Sequence, residues 1–187
     1  MVHLHTGHGQ GDFTASAFIV RDTPGGLVGL VHLHKKLGTL LQVGGHIEWD
    51  ETPWSGLAHE VAEETGYRLD ELDVLQPYAP LPGSEGPRKL PVPASVESHW
   101  VIDGHFHNDL RWAFVASGVP IRPAADGESS DLRWYTLAEM QSDPLLPAPL
   151  AADYQLVMTT LWTSWKRYRA STWPTTLPHP KAAAAPA

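Results

Sequence analysis

The stretch from Gly45 to Tyr67 decides the fold, and it reads GHIEWDETPWSGLAHEVAEETGY. Its second half places three carboxylates, those of Glu60, Glu63 and Glu64, within five residues. Acidic side chains so close together repel one another unless a cation lies among them. The stretch therefore indicates a site for a hard divalent cation.

The same stretch has the periodicity of an amphipathic helix. At about 100° per residue the apolar side chains share one arc and the three glutamates share another. Thr52 is placed to cap the helix, Pro53 suits its first position and Gly66 suits a left-handed end. We predict a helix from Pro53 to Thr65, with Gly56 on the acidic side leaving room for a ligand. The predicted apolar face comprises Trp54, Leu57, Ala58, Val61, Ala62 and Thr65.

Two glycines, Gly44 and Gly45, precede the helix and are separated from it by a short acidic loop. Glycine lets the backbone approach a ligand or metal closely and adopt torsions that other residues avoid. A strand, a glycine loop and an acidic helix together suit a hard cation and a phosphate, because such cations take carboxylate and carbonyl oxygens as ligands. Three glutamates on a helix are more often a solvated face. The spacing, the paired glycines and the cap residues favour the cation site.

The pattern resembles the signature of the Nudix hydrolases. That signature reads Gly, five residues, Glu, seven residues, then Arg-Glu-apolar-any-Glu-Glu-any-Gly-apolar. Gly45 and Glu51 stand at its first two fixed positions, and His59 stands where the family has arginine. The resemblance extends from about Asp12 to Tyr168 and includes a His-rich hairpin, residues 105–111, that is similar to one in a bacterial Nudix subgroup.

The resemblance implies hydrolysis of a nucleoside diphosphate linked to another moiety, with Mg²⁺ or Mn²⁺ as cofactor. Glu60 and Glu64 would bind the metal, and the carbonyl of Gly44 would complete the inner shell. Glu63 would be a further ligand or would orient water. The other residues that we assign to catalysis are Glu51 and His59, and those that we assign to substrate binding are Gly45, His46, Glu48, Trp49, His105, His107 and Asp109.

The replacement of the family's arginine by His59 suggests a role that depends on pH. Arginine is always charged, whereas imidazole titrates near neutrality. We expect His59 to orient Glu51 or Glu60, and to do so less well at high pH.

Outside the signature, the position of the general base and the function of several histidines stay open. The general base lies either within the signature or on a later loop, where the candidates are Glu97, Asp103, Glu128 and Glu139. The alternating spacing of His105, His107 and Asp109, and of His32 and His34, is compatible with a second metal site. Contact of the hairpin with substrate is the favoured interpretation.

Arg111 is expected at a solvated surface, and Trp100, Trp112 and Trp134 are expected in the core.

Composition and charge exclude several classes of protein. A chain of 187 residues with 42% apolar content fits one globular domain. The net charge of −8 and the lack of a Lys/Arg run argue against nucleic-acid binding. No cysteine is present, and no apolar stretch approaches the length of a membrane span. We expect a cytoplasmic protein with a small nucleotide-like substrate, no membrane partner and, by analogy with Nudix relatives, a homodimer.

The order of predicted elements favours an α/β fold with a mixed β-sheet between helices, the Nudix α/β/α sandwich. We expect the domain over residues 12–170, between a flexible N-terminus, residues 1–11, and a Pro/Ala-rich disordered tail, residues 171–187. A helix is predicted over Pro149 to Arg169 and a short one over 136–140. Strands are predicted over residues 13–21, 27–34, 40–43, 75–78, 95–102, 110–117 and 132–135.

Two rival functions differ in class from a hydrolase. A nucleotide or metabolite sensor on the same fold would need no catalysis, but the chain retains every acid of the signature. Isoprenoid diphosphate isomerisation would need a cysteine, and the chain has none. A metal-dependent phosphoanhydride hydrolase is therefore the favoured prediction.

Overall fold

The computed structural model describes residues 7–81, 88–122, 124–125 and 131–177. Within these residues, nine strands form one mixed sheet, whose main path runs in the order β3-β2-β1-β7-β5-β9. β4 pairs with β1, β6 with β7, and β8 with β2. The strands are β1 (Gln10–Thr23), β2 (Gly26–His34), β3 (Thr39–Leu41), β4 (Val43–His46), β5 (Leu72–Gln76), β6 (Ser95–Ile102), β7 (His105–Ala116), β8 (Leu132–Tyr135) and β9 (Lys166–Arg169).

Two long strands, β1 and β7, run parallel at the centre of the sheet. They are long because both carry extended runs of buried apolar residues that can be covered on both faces. The other strand pairs in the sheet are antiparallel. The parallel register places Asp12 beside His107 and Thr14 beside Asp109. The same stretch of β1 pairs on its other side with β4, where Thr14 faces His46.

Helices cover both faces of the sheet. Helix α1 (Pro53–Thr65) packs on one face, and α2 (Leu137–Ser142) and α3 (Ala148–Gln155) pack on the other. The first core contains Trp54, Trp112 and Phe114, and the second contains Phe18 and Tyr154. The predicted α/β/α sandwich is thereby confirmed. Within the described residues no helix has both the length and the hydropathy to cross a membrane.

Local signals set the bounds of α1 where they were predicted. The Thr52 hydroxyl accepts a hydrogen bond from the Ser55 N–H at 3.1 Å, and the Ser55 hydroxyl accepts one from the Thr52 N–H at 2.8 Å. Gly66 ends the helix with φ of 78°, in the left-handed region that glycine adopts without strain. The helix is therefore closed at both ends by residues of its own segment.

The C-terminal part of the chain differs from the prediction. The helix predicted over Pro149 to Arg169 is α3, a π-helical turn (Leu156–Leu161) and α4 (Trp162–Ser164), and it ends before β9. β9 pairs with β5, so residues 166–169 join the sheet instead of continuing the helix. The predicted strand over 40–43 is two strands, because β3 pairs with β2 while β4 pairs with β1.

The predicted domain limits also change. Gln10 and Gly11 lie in β1, so the N-terminal segment predicted as flexible, residues 1–11, overlaps the sheet. The tail predicted over residues 171–187 begins too early, because Trp173 is buried in the first core. Residues 1–6 and 178–187 lie outside the described part of the chain.

Of the three tryptophans predicted for the core, one is buried, one is partly buried and one is exposed. Trp112 is buried, whereas Trp100 is 67% exposed on β6. Trp134 is partly buried and packs against the first core. Trp100 is exposed because β6 pairs only with β7, and its side chain contacts Phe106 instead of a covering helix. The core prediction for Trp100 is therefore wrong.

Candidate active site

Gly44 and Glu64 join the glycine loop to the acidic helix. The Gly44 N–H donates a hydrogen bond to Glu64 Oε2 at 2.8 Å, and Glu64 is buried. Gly44 has φ of 143°, and a Cβ at this position would lie 2.7 Å from the Cα of Ser16. Glycine is required here because both the torsion and the close approach of β1 exclude a side chain.

Gly45 and Glu60 form the second contact between loop and helix. A Cβ on Gly45 would lie 2.8 Å from Glu60 Oε2 and still closer to the other carboxylate atoms. The missing side chain therefore lets the Glu60 carboxylate lie directly on the loop. Gly44 and Gly45 thus hold the carboxylates of Glu64 and Glu60 against one short stretch of backbone.

The three glutamates of the helix have different environments. Glu64 is buried, Glu60 is half-buried and the side chain of Glu63 is 47% exposed. His59 Nε2 lies 3.0 Å from Glu63 Oε1, and its Nδ1 lies 3.1 Å from Glu51 Oε1. His59 therefore bridges two acids of the signature, Glu51 and Glu63. The bridge includes Glu51 as expected, and its second acid is Glu63.

The charge of His59 depends on these contacts. Burial lowers its pKa, but the hydrogen bonds to Glu63 and Glu51 and their negative charges outweigh that effect, so the pKa is raised above 6.5. The ring is consequently held in its protonated form at a higher pH than a free histidine. His59 can thus orient two carboxylates as a cation.

The space at Gly56 is occupied by protein. A Cβ on Gly56 would lie 3.0 Å from Glu51 Oε2 and 3.5 Å from Ile47. The Glu51 carboxylate is held in this position, because its Oε2 also accepts a hydrogen bond from the Glu48 N–H at 3.1 Å. Gly56 therefore makes room for the Glu51 carboxylate, and the prediction that it makes room for a ligand is wrong.

His32 lies next to Glu64. The sequence indicates His32 only as a candidate ligand of a second metal site. Its Nε2 lies 3.7 Å from Glu64 Oε1, and both residues are buried. Burial lowers the pKa of His32, and the nearby His34 lowers it further. A neutral imidazole does not offset the negative charge of the Glu64 carboxylate.

A cavity of about 560 Å³ opens beside the glycine loop. It lies on the face of the sheet that carries α3, between the β6–β7 hairpin and the segment from β2 to β4. Its lining includes His32, Gly44 and Gly45, which contact Glu64 and Glu60 of the acidic helix. Its polar lining includes Thr14, Ser16, Lys36, Gln42, Glu97, His99, Asp109, Arg111 and Asp153.

The predicted substrate-binding residues divide into two groups. Gly45, His46, His107 and Asp109 line the cavity. His105, Glu48 and Trp49 are not among the described residues that line it. His105 is buried, whereas Trp49 is 73% exposed on the loop before α1. The structure therefore brings four of the seven together around one space.

Arg111 organises the wall of this cavity. Its Nε donates to Asp109 Oδ2 at 2.7 Å, one terminal nitrogen donates to Asp153 at 2.8 Å and the other donates to Glu97. The expectation of a solvated Arg111 is wrong, because it is only 6% exposed. Asp109 also accepts hydrogen bonds from the hydroxyls of Thr14 and Ser16, so its oxygens hold the wall together.

The candidate bases outside the signature have different positions. Glu97 lines the cavity and binds Arg111. Glu139 caps α2, where it accepts hydrogen bonds from the backbone and hydroxyl of Thr136, and its candidacy is removed. Asp103 is exposed in the turn between β6 and β7. Glu128 lies outside the described residues.

Asp12, Thr14 and Ser16 were not predicted as site residues. They are buried polar side chains at alternate positions of β1, and Thr14 and Ser16 line the cavity. Alternation puts all three on one face of the sheet. A signal was available, because polar residues at every second position of an otherwise apolar strand mark a polar interior surface.

Comparison with known proteins agrees with the observed fold. A sequence model of the NUDIX domain matches residues 12–159. None of the curated proteins compared with the chain matches it. A NUDIX-family hydrolase from Clostridium perfringens is 25% identical over 79% of this chain and 95% of its own, with a TM-score of 0.63.

Two further solved structures share the fold at lower identity. An Ap4A hydrolase from C. elegans is 15% identical over 77% of this chain and 93% of its own, with a TM-score of 0.58. The NUDIX domain of NrtR from Shewanella oneidensis, solved with ADP ribose, is 18% identical over 79% and 89%, with a TM-score of 0.55. Because the matched NUDIX domain covers most of the chain and includes the glycine loop and acidic helix, this protein belongs to the Nudix hydrolase family.

Proposed function

We propose that the protein hydrolyses the phosphoanhydride of a nucleoside diphosphate linked to another moiety, with Mg²⁺ or Mn²⁺ as cofactor. The observation that carries the proposal is the convergence of Glu60 and Glu64 on Gly44 and Gly45 at the edge of the cavity. Carboxylates held against backbone beside a cavity are the arrangement that a metal-dependent phosphoryl site needs.

The donor atoms fit a hard divalent cation. Glu60 and Glu64 offer carboxylate oxygens, the Gly44 carbonyl offers a backbone oxygen, and Glu63 is a further candidate ligand. The missing side chain at Gly45 leaves the Glu60 carboxylate in contact with the loop that would approach the phosphates. When bound, the cation supplies positive charge to the phosphate oxygens and lowers the pKa of a coordinated water.

The residues of the chain would position the reactants. A water oxygen forms a bond to phosphorus, the bridging P–O bond breaks, and a nucleoside phosphate and a second phosphorylated product leave. The proton of the water passes to a carboxylate, for which Glu63, Glu60 and Glu51 are the candidates within the signature. His59 holds Glu51 and Glu63 in place from the exposed side of the helix.

The cavity suits a substrate of nucleotide size. A volume of about 560 Å³ lies within the range of small-molecule sites. His46 and His107 would contact the part of the substrate that is not cleaved. Glu48 and Trp49, on the exposed loop, would contact groups that project out of the cavity.

The test is turnover of a panel by wild type, Glu64→Gln and Glu60→Gln with Mg²⁺ or Mn²⁺. The panel contains nucleoside triphosphates, nucleotide sugars, dinucleoside polyphosphates including Ap4A, and ADP-ribose, because the last two appear among the structural relatives. We expect one class to be hydrolysed only with metal, and each variant to be at least about 100-fold slower while remaining folded. Asp70→Asn, an exposed acid outside the signature, is the matched control and should retain full activity.

Retained activity in both glutamine variants would contradict the assignment of the site. No turnover, together with a nucleotide that raises the melting temperature, would favour the sensor function. A cytoplasmic location, a homodimer and the lack of a nucleic-acid partner stay predictions.

A further inference from the structure

Beside the cavity, outside the acidic helix, four ionisable side chains meet at the centre of the sheet. They are Asp12 on β1, His46 on β4, and His105 and His107 on β7. The strand registers bring them together, since Asp12 pairs with His107 and the neighbouring Thr14 pairs with His46. Asp12, His46 and His105 are buried, and His107 is half-buried.

The separations within this cluster are short enough for its side chains to share one metal ion. His46 Nε2 lies 3.4 Å and His105 Nε2 lies 3.5 Å from Asp12 Oδ2. One ligand atom from each of Asp12, His105 and His107 lies within 4.8 Å of the other two. Among the described residues this is the one group of three His, Asp or Glu side chains with that property.

The distances distinguish two explanations of the cluster. A histidine that donates directly to a carboxylate lies about 2.7–2.9 Å from it. Ligands around a tetrahedral ion with metal–nitrogen bonds of about 2.0–2.1 Å lie about 3.3 Å from one another. The observed 3.5 Å between His105 Nε2 and Asp12 Oδ2 is closer to the second value.

We propose that Asp12, His105 and His107 bind a divalent transition-metal ion of the Zn²⁺ class, with His46 as a neighbouring imidazole. Two imidazoles and one carboxylate favour such an ion over Mg²⁺, which prefers oxygen ligands. The site differs from the Glu60 and Glu64 site in its residues and in the class of ion that it selects.

The ion would have a path to the site from the cavity. His46 and His107 line the cavity, and their rings are in edge contact at 4.8 Å between centroids. An ion bound here would form part of the cavity floor. This geometry places a second, softer cation beside the substrate cavity of the proposed hydrolase.

The experiment measures zinc bound to the untagged full-length chain after treatment with chelator, back-titration with Zn²⁺ and dialysis against excess Mg²⁺. We expect one equivalent of zinc in wild type, and a fall of at least about tenfold in affinity for Asp12→Asn and His107→Ala. Co²⁺ in place of Zn²⁺ should give a visible absorption spectrum in wild type that is lost in both variants.

Two controls separate this site from others. His3→Ala/His5→Ala removes histidines that lie outside the described residues, and it should retain the zinc. Glu64→Gln should also retain zinc, even where it abolishes hydrolysis, so the two proposals fail independently. No bound zinc in wild type, or unchanged affinity in both Asp12→Asn and His107→Ala, would overturn the inference and leave the cluster as a structural contact.

Discussion

The carboxylate of Glu60 occupies the space that a side chain on Gly45 would fill. A Cβ built on Gly45 lies 2.8 Å from Glu60 Oε2 and closer still to the other carboxylate atoms. The glycine is therefore required by the position of the Glu60 side chain and not by its own backbone, because its φ is not positive. Gly44, one residue earlier, is different, since its neighbours are the backbone and side chain of β1 and its φ is 143°.

Gly45→Ala should remain folded and lose activity. The clashing atoms are the end of a flexible side chain, so Glu60 can move aside and the free energy of unfolding should change by no more than about 1 kcal/mol. Under the proposed function, displacement of the Glu60 carboxylate by about 1 Å should lower kcat about 100-fold. Urea denaturation and steady-state kinetics on the same preparation test both parts, and full activity would show that Glu60 is not held by this contact.

Gly44→Ala should instead destabilise the fold. The new Cβ would meet backbone atoms of Ala15 and Ser16, which cannot move without disturbing the pairing of β1 and β4. We expect a loss of at least about 2 kcal/mol, from the left-handed torsion and the clash together. A melting temperature equal to that of Gly45→Ala would contradict this distinction between the two glycines.

The ion pairs of His59 predict a pH-dependent stability. The folded state raises the pKa of His59 above 6.5, so the stabilising contribution is present below pH 6.5 and is lost as pH rises through the folded pKa. His59→Arg keeps its charge and should not show this loss. Melting temperatures from about pH 6 to about pH 9, with EDTA present to remove bound cations, should therefore fall more steeply for wild type than for the variant. Parallel curves would show that His59 does not contribute as a cation.

Features set within one segment could be predicted from the sequence. Helix α1 has its predicted bounds because Thr52, Pro53 and Gly66 act on their own turn of the chain. β6 and β8 also have their predicted bounds. The acidic site belongs to the same class, because the spacing of Glu60 and Glu64 along one helix fixes their relation.

Features set by distant partners could not be predicted. Residues 166–169 continue the spacing of the preceding helix, and only pairing with β5 makes them a strand. Arg111 is buried because Glu97, Asp109 and Asp153 converge on it from three elements. Asp12 meets His46 and His105 only through the registers of three strands. Such contacts depend on topology, which the local pattern does not contain.

Arg111 should be essential for stability because it is the cation among three acids. Arg111→Met would leave Glu97, Asp109 and Asp153 close together without it, which should cost about 3–5 kcal/mol. The loss should shrink as pH falls and the carboxylates take up protons. Denaturation of Arg111→Met at neutral and acidic pH tests this, with the exposed Arg88→Met as control. A loss that does not vary with pH would assign the role of Arg111 to packing alone.

Trp173 should anchor the C-terminal segment to helix α1. Its carbonyl accepts a hydrogen bond from Trp54 Nε1 at 2.9 Å, and its ring contacts those of Trp54 and Tyr168. Trp173→Ala would leave a cavity in the first core and should cost about 3–5 kcal/mol. Leu177→Ala, at a position that is 59% exposed, should be neutral within about 0.5 kcal/mol.

Truncation of the chain tests the contact between Trp173 and Trp54 in a second way, without a substitution. A chain that ends at Ala170 lacks Trp173 and should lose at least as much stability as Trp173→Ala, whereas a chain that ends at Leu177 should match wild type. Because Trp54 lies in the first turn of the helix that carries Glu60 and Glu64, loss of Trp173 should also lower activity. Wild-type stability in the chain that ends at Ala170 would show that the domain closes without its C-terminal segment.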